Sequence, residues 1–210
     1  MAKKATLPEF EMLGKYKIKP LPYGIAKTEE DALEIAKKIG YPVALKIVSP
    51  EITHKTDVGG VKVRIKDEKR LKHAYEDIME GAKKHKITGV LVQKMARRGV
   101  ELIIGGKKDP QFGHLVILGM GGVYVEIFRD VTARICPINK QDVKDMINEL
   151  ESHPLITGIR GMKPIKLGAL YSLMVKTSKM IVNEDMEELD LNPVIFDEKG
   201  YDIVDVRYAK

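Results

Sequence analysis

A chain of 210 residues, 44% hydrophobic and only 6% aromatic, is long enough for one ordinary domain or two small lobes around a core of Val, Ile, Leu and Met. No apolar run approaches the roughly 18 residues of a spanning helix, and Met1-Ala2-Lys3-Lys4 has no apolar stretch behind it, so neither a membrane span nor a secretory leader is expected. The 36 Lys and Arg are interspersed with 30 Asp and Glu, so the net charge of +6 fits a charged surface rather than a nucleic-acid-binding stripe.

The single cysteine, Cys136, leaves no internal disulfide and points to the cytoplasm. The 31% charged residues lean toward a thermophile, with ten methionines arguing mildly the other way.

Residues 1–20 read as a lead-in ending at Lys19-Pro20-Leu21-Pro22-Tyr23-Gly24. Thr28 to Asp31 form a capping box, Ala32, Ile35, Ala36 and Ile39 follow at helical spacing, and Gly40 ends the helix. Val43 to Val48 is a β-branched strand interrupted by Lys46. Ser49 to Gly60 is a polar loop, and Val61 to Ile65 alternates as a half-exposed strand. Asp67 caps a second helix with Leu71, Ala74, Tyr75, Ile78 and Met79 inward, and Val90 to Met95 is the next strand.

After an Arg97-Arg98-Gly99 turn, Val100 to Ile104 and Phe112 to Leu118 are expected as strands joined through Gly105 to Pro110. Gly119-Met120-Gly121-Gly122 breaks the pattern, and Tyr124 to Phe128 with Val131 to Cys136 resemble a hairpin. Asn139 with Asp142 caps a helix carrying Val143, Met146, Ile147 and Leu150. Pro164 opens another with Leu167, Leu170, Tyr171, Met174 and Ile181 inward. Met186 to Phe196 and Tyr201 to Val206 close the chain as two strands. Helices and strands mix without strict alternation, so the fold class is α+β, or mixed α/β, with two lobes at 1–92 and 93–210.

Three groups of residues carry chemistry. Lys46 lies midway along an apolar strand, where burial is costly without an anion, and the loop after it ends in Gly59 and Gly60, whose amides can approach phosphate oxygens. An edge-strand lysine with a plain hairpin loop is the alternative. The loop lacks the Gly-Lys-Ser/Thr of a P-loop. In it sits His54, the one histidine of five placed to act as nucleophile or base beside a phosphate. Gln93-Lys94-Met95, with Glu101 further on, offers strand backbone to a base and an acid to ribose. Asp190 and Asn192 share a strand face, and a hairpin can bring Asp205 beside them as hard oxygen ligands for Mg2+. Gly119 to Gly122 with Glu126 is either a second anion site or a turn. No histidine pair has zinc-site spacing.

Taken together, the stretch Gly40-Tyr41-Pro42-Val43-Ala44-Leu45-Lys46, the loop Ser49 to Val61 and the segment Gly119 to Glu126 resemble an ATP-grasp domain over nearly the whole chain. The likeness is to the β-type subunit of ADP-forming acetyl-CoA synthetases and, more distantly, to succinyl-CoA synthetase β subunits. That resemblance implies two lobes clasping a nucleotide, ATP or ADP, with Mg2+. It implies that His54 relays a phosphoryl group to ADP, that Lys46, Gly59 and Gly60 meet phosphates, and that Gln93, Lys94 and Met95 line the adenine. Glu101 takes the ribose, and Asn192 and Asp205 hold the metal.

It further implies a CoA-binding α-type partner subunit carrying a phosphorylated histidine, in a heterotetramer. Gln93 stands where many relatives have an acid, and Asp190 where the succinyl-CoA enzymes have Glu, which separates Asp190 from the direct ligands. No CoA-binding unit is legible in this chain, so a full reaction is expected to need another chain. Another ATP-grasp ligase, or a non-catalytic nucleotide-sensing subunit, is the alternative.

Overall fold

The computed structural model describes residues 7–52, 55–122 and 130–210. The described residues separate into two compact units, one of Leu7 and Leu21–Met95, the other of Pro8–Pro20 and Ala96–Lys210. All strand pairings in both units are antiparallel.

The first unit holds β1 (Tyr23–Ala26), α2 (Glu29–Ile39), β2 (Val43–Val48), β3 (Val61–Ile65), α3 (Glu68–Gly81) and β4 (Gly89–Lys94). Its four-stranded sheet runs β1-β4-β2-β3. Both helices start where the side chains require. Thr28 Oγ1 accepts from Asp31 N at 3.1 Å while Asp31 Oδ2 accepts from Thr28 N at 3.2 Å, and Asp67 accepts from Arg70 N at 2.9 Å. Gly40, at φ +82°, ends α2 and donates to Ala36 O at 2.8 Å. Val43, Leu45, Ile47, Val90 and Val92 face the helices and bury Ala32, Ala36, Leu71 and Ile78 with them. Each of the Val, Leu and Ile side chains stabilises the fold by about 1.5–3 kcal/mol.

The second unit contains α1 (Pro8–Lys15), β5 (Val100–Asp109), β6 (Gly113–Met120), β7 (Val131–Ile135), α4 (Lys140–Glu149), α5 (His153–Thr157), α6 (Leu167–Asn183), β8 (Glu188–Phe196), β9 (Tyr201–Ile203) and β10 (Val206–Ala209). Among the described residues its strands run β10-β8-β5-β6-β7, with β9 paired to the far end of β8. α4 is capped as expected, with Asn139 Oδ1 accepting from Gln141 N and Asp142 Oδ2 accepting from Asn139 N, both at 2.7 Å.

Several expectations shift. The lead-in contains a helix, α1, with Phe10, Met12 and Leu13 buried, and Tyr23–Ala26 is a strand. Gly105 and Gly106 are not a connection, since β5 runs straight through them to Asp109. A Cβ on Gly106 would lie 2.5 Å from Ile181 Cδ1, so glycine there lets α6 close on the sheet. The reversal falls at residues 110–112, where Asp109 Oδ1 accepts from Gln111 N and Phe112 N. α6 begins at Leu167 rather than near Pro164, because Ile165 N and Lys166 N are held by Ile156 O and Asp197 O. The expected strand Tyr124 to Phe128 lies outside the described residues. Among the described residues, no helix is long and apolar enough to cross a membrane.

Candidate functional site

In the first unit the register puts Lys46 across from Leu91, and Ala44 across from Gln93, so Lys46 and Gln93 are diagonal neighbours on the face away from α2 and α3. β2 lies inside the sheet, which removes the edge-strand alternative for its lysine. Lys46 is 6% exposed and Gln93 1%. The Gln93 Nε2 is buried without a hydrogen-bond partner among the described residues, an arrangement that costs about 1–3 kcal/mol.

The loop glycines close a tight turn. Gly59, at φ +66°, donates to Thr56 O at 3.0 Å, and Gly60 donates to Lys55 O at 2.7 Å. A Cβ on Gly60 would meet Ile47 Cγ2 at 2.7 Å. What the pair contributes is therefore the shape of the loop rather than two open N–H groups. His54 lies outside the described residues, as does Glu126. Lys94 Nζ donates to Gly40 O and Tyr41 O at 2.6 and 3.1 Å, while Lys94 N and Met95 N donate to Pro22 O and Pro42 O. Side chain and amides of this segment are thus fixed within its own unit.

In the second unit Glu101 is exposed and lines a cavity of about 450 Å³ with Gly99, Val100, Met120, Gly121, Gly122 and Leu155. Gly121 N donates to Glu101 O at 2.7 Å, and a Cβ on Gly121 would lie 3.1 Å from the Glu101 backbone. Val100, Met120 and Leu155 give this cavity apolar walls beside one carboxylate, a lining suited to a nucleoside. Leu155 has no sequence signal, because it arrives on α5 from more than fifty residues away.

Directly beside Glu101 along β5, Leu102 pairs with Val194 but Ile104 pairs with Leu191. Asn192 and Pro193 therefore oppose Ile103 alone, a bulge that turns Asn192 outward. The same irregularity splits the expected Tyr201 to Val206 strand into β9 and β10, leaving Asp205 between them. Asn192 N donates to Asp205 O at 3.3 Å, so the two are neighbours across the ladder. One amide and one carboxylate are hard oxygen donors of the kind Mg2+ shares with phosphates and water. Arg207 sits across from Asp190, with its Nε 3.5 Å from Asp205 Oδ2.

Burial, reinforced by the Asp205 and Glu188 charges and opposed by Arg207, raises the Asp190 pKa above its ordinary value. A carboxyl whose folded pKa is raised adds stability that is fully present below its ordinary value of 3.8 and is lost as pH rises through the raised value. Asp190→Asn is accordingly expected to raise the thermal midpoint at pH 7 by about 1–3 °C, with the gain vanishing toward pH 3. An unchanged or lower midpoint at pH 7 in differential scanning calorimetry counts against burial as the governing effect. Burial likewise pushes the Cys136 thiol up to about 12, which leaves it protonated and unreactive at neutral pH.

A family model described as an ATP-grasp domain matches residues 4–209. The chain belongs to the ATP-grasp family. This ATP-grasp chain is 40% identical to the acetate–CoA ligase [ADP-forming] I subunit beta of Pyrococcus furiosus, over 94% of this chain and 87% of that one. It is 45% identical to the acetate–CoA ligase [ADP-forming] I of Archaeoglobus fulgidus over 93% of its length, and spans 29% of that longer protein. The acetyl-coenzyme A synthetase 1 of Ca. Korarchaeum cryptofilum, in complex with coenzyme A and Ca-AMPCP, superimposes with a TM-score of 0.91 at 44% identity, over 96% of this chain and 90% of that one. The same enzyme with coenzyme A and Mg-AMPPCP gives 0.84 at 42% identity, over 99% and 92%.

Proposed function

We propose that this ATP-grasp chain is the nucleotide-binding β-type subunit of an ADP-forming acyl-CoA synthetase of the acetate–CoA ligase kind. It moves a phosphoryl group between a phosphorylated histidine on a CoA-binding α-type partner and ADP, through His54, within a cytoplasmic heterotetramer. The overall balance is acyl-CoA + ADP + phosphate to acid + CoA + ATP. At each histidine one P–N bond breaks as the next bond to phosphorus forms, ending in the P–O bond of ATP.

The observation that carries this reading is Lys46, an ammonium at 6% exposure in a central strand on the same face as Gln93. A buried ammonium on the sheet face away from α2 and α3 is placed to take an anion such as a phosphate. The Korarchaeum complex with Mg-AMPPCP supports a magnesium nucleotide as that anion. In this assignment Lys46 holds phosphates, and the Gly59-Gly60 turn shapes the loop that carries His54. Gln93, Lys94 and Met95 border the base, and Glu101 takes the ribose hydroxyls in its apolar-walled cavity. Asn192 and Asp205 would hold Mg2+, which when bound neutralises phosphate charge during transfer.

Titration calorimetry tests the assignment. The native chain is expected to bind Mg·ADP and Asp205→Ala to bind it at least about tenfold more weakly. With the partner subunit and labelled ATP, acid-labile phosphate is expected on His54 and absent from His54→Asn. A native chain that ignores Mg·ADP removes the proposal.

A further inference from the structure

Between α5 and α6 the loop Gly158-Ile159-Arg160-Gly161-Met162-Lys163 turns apolar side chains outward. Ile159 is 39% exposed and Met162 54%. The loop that carries them is tightly held. Gly158 N donates to Pro154 O and Met162 N to Ile159 O, both at 2.9 Å, while Ile165 N reaches Ile156 O at 3.1 Å and Lys166 N reaches Asp197 O at 2.8 Å. Ile156 and Ile165 anchor it from the buried side. Gly158 and Gly161, at φ +94° and +84°, make the reversal, and a Cβ on Gly158 would lie 2.8 Å from Met162 O. Arg160 between them is held at φ +46°, a conformation rare for a side chain of its size. Its guanidinium is exposed and has no hydrogen-bond or ion-pair partner among the described residues, whereas Lys163 is paired with Glu198 at 3.1 Å.

Resting on the two-subunit reading above, we infer that the loop 158–163 is a docking surface for the α-type partner, which meets it with a carboxylate set in apolar surface. Strained residues persist where the surrounding structure fixes them, and they concentrate at clamps and switch regions. Met and Arg are enriched in protein interfaces, and a backbone already fixed loses little further freedom on binding. Charge selects the occupant. An unpaired guanidinium is matched by a carboxylate, which it holds through two parallel hydrogen bonds. Ile159 and Met162 on either side of it need apolar surface as well, and a lone phosphate or a nucleic-acid backbone leaves their area in water. The loop holds none of the residues assigned to the nucleotide or the metal, so its role is assembly.

The experiment is calorimetric titration of the full chain with its purified α-type partner. Arg160→Glu is expected to weaken the complex by at least about tenfold, and the double variant Ile159→Ser/Met162→Ser by about tenfold. Arg160→Lys is expected to recover only part of the affinity, because an ammonium cannot make the forked pair. In all three, Mg·ADP binding and the thermal midpoint of the free chain stay at native values. Arg64→Glu is the control, making the same charge change at an exposed arginine of the first unit, and it should keep native affinity for the partner. Native affinity in Arg160→Glu or in the double variant overturns the inference. An equal loss in Arg64→Glu also overturns it, since net charge rather than the loop then governs binding. A native chain that takes Mg·ADP but not the partner overturns the subunit assignment instead.

Discussion

Lys46→Met is expected to weaken Mg·ADP binding by roughly 10–150-fold while leaving the nucleotide-free chain as stable as before, or more so. The two halves have one cause. A charge-assisted hydrogen bond from an ammonium to a phosphate contributes about 1.5–3 kcal/mol, which sets the range of affinity loss. The same ammonium is 6% exposed in a sheet whose neighbours are Leu45, Ile47 and Leu91. An ammonium is costly to bury in such a sheet, and methionine, of similar length, fills the same space without that desolvation. Calorimetric titration reads the first half and denaturant unfolding without nucleotide the second. A variant that loses stability and binds Mg·ADP normally assigns Lys46 a structural role and sinks the phosphate role. Stability and binding moving in opposite directions is the pattern of a site residue retained at a cost to the fold.

What the sequence shows depends on the distance between a residue and the cause of its conformation. The capping boxes at Thr28 and Asn139 are readable because donor and acceptor lie three residues apart. The pairing of Asn192 with Asp205 is readable in outline, because a short hairpin brings its arms together. Its bulge is not, since that follows from the register of β8 against β5. Gly105-Gly106 misleads for the same reason: locally it signals a turn, while the constraint on Gly106 comes from Ile181 on α6. For Gly59 and Gly60 the sequence suggests open amides, and the structure spends both inside the turn. Lys46 stands out only because an otherwise apolar run makes one charge conspicuous. Whether it lay on an edge or in the middle needed the strand order β1-β4-β2-β3.

Removal of Arg97 is expected to destabilise the second unit strongly, although in the sequence it is one of two arginines in a turn. Its Nε and Nη2 reach Asp202 Oδ2 and Oδ1 at 3.0 and 2.9 Å, its own N donates to Asp202 at 2.9 Å, and Nη1 reaches Asp197 at 2.9 Å. The fork clamps the hairpin formed by β8 and β9 against the start of β5, and Gly99 beside it has room for no Cβ, which would lie 2.1 Å from Phe196 O. Asp202 is 8% exposed, so Arg97→Ala leaves a buried carboxylate whose one donor among the described residues is a backbone N–H. The expected loss is about 2–4 kcal/mol, seen as a thermal midpoint lower by roughly 5–10 °C. Most of that cost comes from the stranded carboxylate rather than from the missing attraction. The double variant Arg97→Ala/Asp202→Ala should therefore recover part of the loss, by about 1 kcal/mol or more. If the double variant is less stable than Arg97→Ala alone, Asp202 contributes to the hairpin by contacts other than the fork, and the clamp is not what fixes β8 and β9.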